Sequence, residues 1–125
     1  MPSYEYYYRS NGDCPAKEFI DDPRRSTIRT NIHARLAMLE KFGSGDIDTL
    51  IENNTLVPIN NKRGQWIKGL YELKCKTWRI ATYHDLRIDC FMLFNGWIKK
   101  RNIQSRDISK AIDLFSEYIN KRGVT

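Results

Sequence analysis

Apolar residues recur every three or four positions in two long stretches of the chain, and this spacing is typical of helices that pack on a core. One helix is predicted from Pro23 to Phe42, and its apolar positions are Ile28, Ile32, Leu36, Leu39 and Phe42. The last helix is predicted to begin with Ser105 as its N-cap, and its apolar positions are Ile108, Ala111, Ile112, Phe115 and Ile119. A short helix that begins at Pro15 should form a hairpin with the first and lie across one side of a sheet.

Strand-forming residues dominate four other stretches, which are Tyr4–Tyr8, Leu70–Cys75, Trp78–His84 and Ile88–Phe94. A tight reversal near Lys76 and Thr77 joins the second and third of these into a predicted hairpin. The segment from Asn53 to Gly64 is predicted to be a loop, with the apolar residues 56–59 tucked beneath it. Helices, a group of strands and a final helix together predict an α+β fold.

The hairpin carries an unusual arrangement of charge. If its reversal spans two residues, Lys74 lies directly opposite Arg79 on one face of the sheet. Like charges that face each other across a strand pair are unfavourable, so we predict that this face binds an anion. Glu72 shares the face, and we interpret it as a counter-charge to Lys74, with a general base as the alternative. Tyr71 and Leu73 should point the other way, towards the helices.

The basic residues are concentrated in the second half of the chain. Residues 1–61 hold 7 Lys and Arg against 9 Asp and Glu, whereas residues 62–125 hold 14 against 6. The net charges of the halves are therefore −2 and +8, which together give the +6 of the whole chain. A strongly basic half predicts a polyanionic partner, for which nucleic acid is the default and charge for solubility the alternative.

Length and composition narrow the class of protein. The 125 residues are enough for one core, so a single domain over 1–125 is expected. The three cysteines show no Cys-x-x-Cys spacing, and we expect reduced thiols, no metal site and no cofactor. The longest apolar run, Cys90–Phe94, is too short to span a membrane, and the N-terminus lacks the pattern of a secretory signal. A cytoplasmic protein without a membrane partner is expected.

Three segments of the second half carry a family resemblance. The runs Gly69–Lys74, Trp78–Ile80 and Phe94–Arg101, followed by a helix with Ile108 and Ala111, resemble the RelE/ParE toxin superfamily. They are most similar to its HigB-like, phage-derived branch, and the similarity covers about residues 66 to 115. The resemblance implies a small, mainly antiparallel sheet with an N-terminal helix hairpin packed on one face and a C-terminal helix.

The resemblance also implies a function. Most members of the superfamily are toxins of type II toxin–antitoxin systems that cut messenger RNA on the ribosome without a metal, through attack by the 2′-OH. The expected partners are the ribosome, messenger RNA and a cognate antitoxin, commonly a HigA-like helix-turn-helix protein. Two alternatives remain: a ParE-type inhibitor of DNA gyrase, and a phage RNA-binding protein that does not cleave.

The candidate catalytic residues follow from the hairpin and the resemblance. Arg79 is the candidate for stabilising charge on the phosphoryl oxygens, because a guanidinium binds two oxygens at once and stays protonated. Lys74 should support Arg79 or, with its pKa lowered by neighbouring cations, transfer a proton. Lys99, from the basic run after the last strand, completes the cationic set. His84 is the candidate base, since HigB-like nucleases often use histidine, with a structural role as the alternative.

Further basic residues are candidate RNA contacts, namely Lys62, Arg63, Lys100 and Arg101. For the first two, which lie in the predicted loop, ordinary solvation is the alternative explanation. The sequence departs from the family pattern at Ile108, because RelE-like nucleases often place a tyrosine early in the last helix.

Overall fold

The computed structural model describes residues 3–42, 47–100 and 104–123. The strands in these residues are β1 (Ser3–Tyr6), β2 (Leu56–Asn60), β3 (Trp66–Cys75), β4 (Trp78–Asp85) and β5 (Cys90–Ile98). The helices are α1 (Pro15–Asp21), a 3₁₀ turn (Pro23–Arg25), α2 (Ser26–Phe42), α3 (Ile47–Glu52) and α4 (Ser105–Gly123). No helix in the described ranges combines the length and the apolar character that crossing a membrane requires.

The described strands form one sheet in the order β1-β5-β4-β3-β2. β1 runs parallel to β5, and all other neighbours are antiparallel. The predicted α+β class with a mainly antiparallel sheet is therefore confirmed. β3 and β4 form the predicted hairpin, and Lys74 lies directly opposite Arg79. Lys76 adopts a φ of 52° in the reversal between the two strands.

The N-terminal helices cover one face of the sheet, as predicted. They contribute the buried side chains of Phe19, Ile20, Ile32, Leu36 and Leu39. The strands contribute Tyr71, Leu73, Trp78, Ile80, Phe91 and Leu93. Helical geometry of the α type begins at Ser26 rather than at Pro23, because the residues between them form the 3₁₀ turn. The side chain of Phe42 lies outside the described part.

The opposite face of the sheet is covered by α4, which packs on the strands through a second core. Ala111 and Leu114 are its buried residues, and Ile108, Ile112, Phe115 and Tyr118 are partly buried around them. The predicted apolar stripe omitted Leu114 and Tyr118, which belong to this core. It included Ile119, which does not join the core. The face that holds Lys74 and Arg79 is therefore shared with a helix.

Hydrogen bonds fix both ends of α4 to the sheet. Near its start, the side-chain amide of Asn95 donates to the carbonyl of Asp107, and the indole N–H of Trp97 donates to Gln104 Oε1, both at 3.1 Å. The N–H of Ile108 donates to the carbonyl of Gln104, so Gln104 precedes the first turn. The prediction that Ser105 is the N-cap is therefore wrong, because Ser105 is already the first residue of the helix. Near the helix end, the Tyr118 hydroxyl donates to the carboxylate of Asp85.

The prediction of a loop at residues 56–59 is wrong, because this segment is the edge strand β2. Leu56 pairs with Leu73, and both Leu56 and Ile59 are buried. Pro58 is tolerated because the outer edge of β2 makes no ladder and needs no N–H donor. Burial of two apolar residues, rather than strand propensity, therefore defines this strand.

Two strand ends also differ from prediction. β1 ends at Tyr6, although the backbone N–H of Tyr7 still donates to the carbonyl of Leu93 in β5 at 2.9 Å. The Tyr7 side chain packs in the α4 core. β5 begins at Cys90, and Ile88 lies in the preceding turn with 56% of its surface exposed. The turn extends to Asp89, whose φ is 48°, and this backbone conformation delays the start of β5.

Gly96 of β5 allows α1 to lie close to the sheet. A Cβ atom at this position would lie 2.3 Å from Cδ2 of Phe19. We expect Gly96→Ala to lower the free energy of unfolding by about 1–3 kcal/mol, because the buried ring has little room to move. Urea denaturation measures the change, and adding Phe19→Leu should restore part of the loss. An unchanged denaturation midpoint in Gly96→Ala would contradict this packing.

Candidate nucleic-acid interface

Three cationic residues meet at one end of the sheet, where β3, β4 and β5 lie side by side. Arg79 is paired with Lys74 on one side and with Trp97 of β5 on the other. Lys99 follows β5, and its backbone N–H donates to the carbonyl of Thr77 in the hairpin turn at 2.6 Å. The structure therefore brings together three of the four predicted catalytic residues. We call Lys74, Arg79 and Lys99 the cation cluster.

The Arg79 guanidinium is turned back towards the hairpin and is covered. Its Nη1 donates to the carbonyls of Lys76 and Trp78 at 2.9 and 2.8 Å, and its Nε lies 3.6 Å from Oε1 of Glu72. The residue is only 4% exposed. The arginine that was predicted to bind phosphoryl oxygens is therefore buried rather than open to a ligand. The physical reason is that Glu72 neutralises the charge of the guanidinium and two backbone carbonyls accept from its Nη1.

Glu72 is the carboxylate around which the cation cluster is arranged. Burial raises the pKa of the Glu72 carboxyl, and the positive charges of Arg79, Lys99 and Lys74 oppose that rise, in this order. One buried carboxylate is thus within electrostatic reach of three cations, and its ion-pair partner is Arg79 rather than the predicted Lys74. The surroundings of Glu72 therefore carry an excess of positive charge.

His84 is separated from the cation cluster by the sheet itself. Its ring stacks on Phe91 with centroids 4.4 Å apart, and Phe91 belongs to the core beneath the N-terminal helices. Its Nε2 lies 3.0 Å from Oδ1 of Asp89, and the residue is buried. Since Arg79 points to the α4 face, the structure does not place His84 where it can act together with Arg79.

Lys62 and Arg63 project from a turn between β2 and β3 that hydrogen bonds hold in shape. Oδ1 of Asn61 accepts from the backbone N–H groups of Arg63 and Gln65 at 2.9 and 3.0 Å. The N–H of Gly64 donates to the carbonyl of Asn61, and Gly64 adopts the φ of 78° that this turn requires. Both cations are exposed and stand on a defined backbone.

An open cleft of about 1100 Å³ lies between this turn and the first half of α4. We call it the α4 cleft. Four cations line it, two from each side, which are Lys62, Arg63, Arg106 and Lys110. Sequence reasoning missed the last two, because exposed lysines and arginines on a helix are usually only solvated. Their spacing of four residues was the available signal, since it places both on one side of the helix.

The two remaining predicted RNA contacts, Lys100 and Arg101, add little to the description of the site. Lys100 directly follows Lys99 and is exposed. Arg101 lies outside the described residues. The cation cluster and the α4 cleft therefore form the candidate interface. Trp97, which pairs with Arg79, holds the start of α4 through its hydrogen bond to Gln104.

No protein-family model matches the chain, and no curated protein matches it with a significant score.

Proposed function

We propose that this protein binds the phosphate backbone of RNA at the cation cluster and thereby inhibits translation. The observation that carries this proposal is the excess of positive charge at one end of the sheet, where Arg79 pairs with Glu72 and Lys74 lies opposite Arg79. Lys99 is held beside them by its backbone hydrogen bond to Thr77. Lys74 and Lys99 are partly exposed, so their ammonium groups are accessible to a ligand. Contacts from such cations to phosphates supply most of the affinity of proteins for nucleic acids.

The RelE/ParE resemblance supplies the biological setting of this proposal. The chain would be the HigB-like toxin of a type II toxin–antitoxin system, and its target would be messenger RNA on the ribosome. A HigA-like helix-turn-helix antitoxin would be the partner that silences it. A mainly antiparallel sheet with an N-terminal helix pair on one face and α4 on the other supports this assignment.

Cleavage of the bound message requires Arg79 to exchange its carboxylate partner for a phosphoryl group. Arg79 and Lys74 would then stabilise the charge that develops on the phosphoryl oxygens when the 2′-oxygen attacks. The released Glu72 carboxylate, whose pKa burial raises, would accept the 2′-OH proton. The 2′-oxygen would bond to phosphorus as the bond between phosphorus and the 5′-oxygen breaks, which leaves a 2′,3′-cyclic phosphate. The Lys74 ammonium would donate a proton to the departing 5′-oxygen. No metal takes part in this scheme.

RNA binding without cleavage is the second candidate, and the burial of Arg79 favours it. In the structure, the guanidinium is committed to Glu72 and to the hairpin carbonyls. Lys74 and Lys99 can bind phosphates while Arg79 stays in place. The protein would then act by occupying RNA rather than by cutting it.

The salt dependence of RNA binding tests the proposed contacts. Each phosphate contact to single-stranded RNA contributes about 0.7 to the slope of log Kd against log salt concentration. We therefore expect Lys74→Gln and Lys99→Gln each to lower that slope by about 0.7, as measured by fluorescence anisotropy with a labelled single-stranded RNA. Lys17→Gln, an exposed cation of α1 on the other side of the sheet, should leave it unchanged. Unchanged slopes in both test variants would reject the cation cluster as the binding site.

A translating extract separates the two candidate functions. Messenger-RNA 5′ ends that arise only within translated frames would support cleavage. Inhibited translation with intact message would support binding alone. Unaffected translation together with inhibited DNA gyrase would reject both candidates.

A further inference from the structure

The α4 cleft has cations on two facing walls and apolar side chains between them. Lys62 and Arg63 come from the β2–β3 turn, and Arg106 and Lys110 come from α4. None of these four cations forms an ion pair with a carboxylate in the part of the chain that the structure describes. One acidic residue, Asp113, also lines the cleft, so positive charge is in excess.

We infer that the α4 cleft binds a segment of single-stranded RNA, an inference that rests on the proposed RNA-binding function. Ile108 and Ile112 of α4 line the cleft between its two cationic walls. Unpaired bases can pack on such apolar side chains while their phosphates reach the cations on either side. A duplex buries its base faces and gives Ile108 and Ile112 nothing to contact.

Polar groups beside the isoleucines favour RNA over an acidic peptide. The side-chain amides of Asn60 and Gln65 and the hydroxyl of Ser109 also line the cleft. These groups can donate to and accept from the edges of unpaired bases. An acidic amphipathic peptide would also use the isoleucines and the cations, but the amides could reach only its backbone groups, whereas each unpaired base offers several donors and acceptors along its edges.

The position of the cleft also matches a strand that continues from the cation cluster. Trp97 lies next to Arg79 in the sheet and holds Gln104 at the start of α4. Arg106, two residues further on, belongs to the cleft. A single strand bound at Lys74 and Lys99 therefore meets the cleft at the first turn of α4.

The inference is tested with a fluorescein-labelled single-stranded RNA of mixed sequence and with the same RNA annealed to its complement. We expect Arg63→Gln/Lys110→Gln, which removes one cation from each wall, to weaken single-strand binding at least tenfold. The slope of log Kd against log salt should fall by about 1.4, the value for two phosphate contacts. Duplex binding should change less than single-strand binding. Because both residues are exposed, the variant should fold, and its thermal unfolding checks this.

Each of the other outcomes contradicts a specific part of the cleft inference or of the proposed function. If Lys74→Gln weakens RNA binding and Arg63→Gln/Lys110→Gln does not, the cleft inference fails and the proposed function stands. If neither variant changes RNA binding, both fail. Equal losses for single strand and duplex would reject single-strand selectivity. If Arg63→Gln/Lys110→Gln loses binding to a labelled peptide of alternating glutamate and leucine but not to RNA, the cleft is assigned to an acidic protein partner.

Discussion

Arg79→Met is expected to lower the free energy of unfolding by about 3–5 kcal/mol, the usual cost of removing one partner from a buried ion pair. The substitution replaces the guanidinium with an apolar side chain of similar length. It leaves the Glu72 carboxylate buried without its partner. The Arg79 and Glu72 side chains are only 5% and 10% exposed, so water cannot replace the lost contact cheaply. It also removes the hydrogen bonds that bind the hairpin carbonyls of Lys76 and Trp78. Urea denaturation near neutral pH measures the change.

A second substitution shows whether the unpaired carboxylate causes the loss. Arg79→Met/Glu72→Leu should recover most of the stability, because apolar replacements of both partners of a buried ion pair are often nearly neutral. Lys68→Met, which removes an exposed cation of β3, is the matched control and should change stability little. A loss below about 0.5 kcal/mol in Arg79→Met would show that the buried pair is not formed in solution.

This result determines how RNA-binding measurements on Arg79 variants are interpreted. A variant that loses both RNA binding and several kcal/mol of stability says nothing about a direct contact between Arg79 and RNA. Lys74→Gln and Lys99→Gln are better probes of function, since both side chains are partly exposed and neither forms a buried ion pair among the described residues. Their effects on RNA binding can be measured on folded protein.

Local sequence patterns predicted much of the fold. The spacing of Ile32, Leu36 and Leu39 identified α2, and a two-residue reversal between β3 and β4 gave the register that pairs Lys74 with Arg79. The segment 56–59 was missed because its strand character comes from pairing with β3 and from burial, neither of which has a local signature. Pairing with another strand therefore determined the structure of this segment, where the local sequence preference was weak.

The candidate site was harder to predict, because two of its properties depend on elements distant in sequence. The burial of Arg79 follows from its pairing with Glu72 on a face that α4 also covers. The α4 cleft exists only because the turn that carries Arg63 faces the helix that carries Lys110. The position of His84, in contrast, was within reach of the sequence. It lies five residues after Arg79 in one strand, and strict alternation places the two on opposite faces.

The second large effect is expected near the C-terminal end of α4, where Asp85 of β4 is fully buried. Its Oδ2 accepts from the hydroxyl of Tyr118 at 2.5 Å and lies 3.2 and 3.3 Å from nitrogens of Arg122 and Arg87. The Arg122 guanidinium also donates to the hydroxyl of Tyr83 at 3.2 Å. One carboxylate thus ties the end of β4 to the last turns of α4. Asp85→Asn should lower the free energy of unfolding by about 3 kcal/mol, because it removes the charge that these donors share.

The pH dependence of stability distinguishes this ionic contact from simple packing. Burial raises the pKa of the Asp85 carboxyl, but hydrogen bonds from Tyr118, Arg87 and Arg122 outweigh it and lower the pKa to about 2. Because the folded pKa lies below the ordinary value of 3.8, the contribution is complete above about pH 4 and is lost as the pH falls towards 2. The difference in stability between wild type and Asp85→Asn should therefore shrink across this range.

Asp113→Asn, an exposed carboxylate on the same helix, is the control and should follow the wild-type curve. Acid also protonates Asp22, whose pKa is held at about 2 by hydrogen bonds from Arg24, but this loss is common to all three proteins and cancels in the comparison. Hydrogen exchange in Asp85→Asn should accelerate in the last turns of α4 more than in its first turn, which Trp97 and Asn95 still hold. A difference between wild type and Asp85→Asn that does not depend on pH would show that Asp85 contributes shape rather than charge, and that no ionic contact of Asp85 holds the C-terminal end of α4 to the sheet.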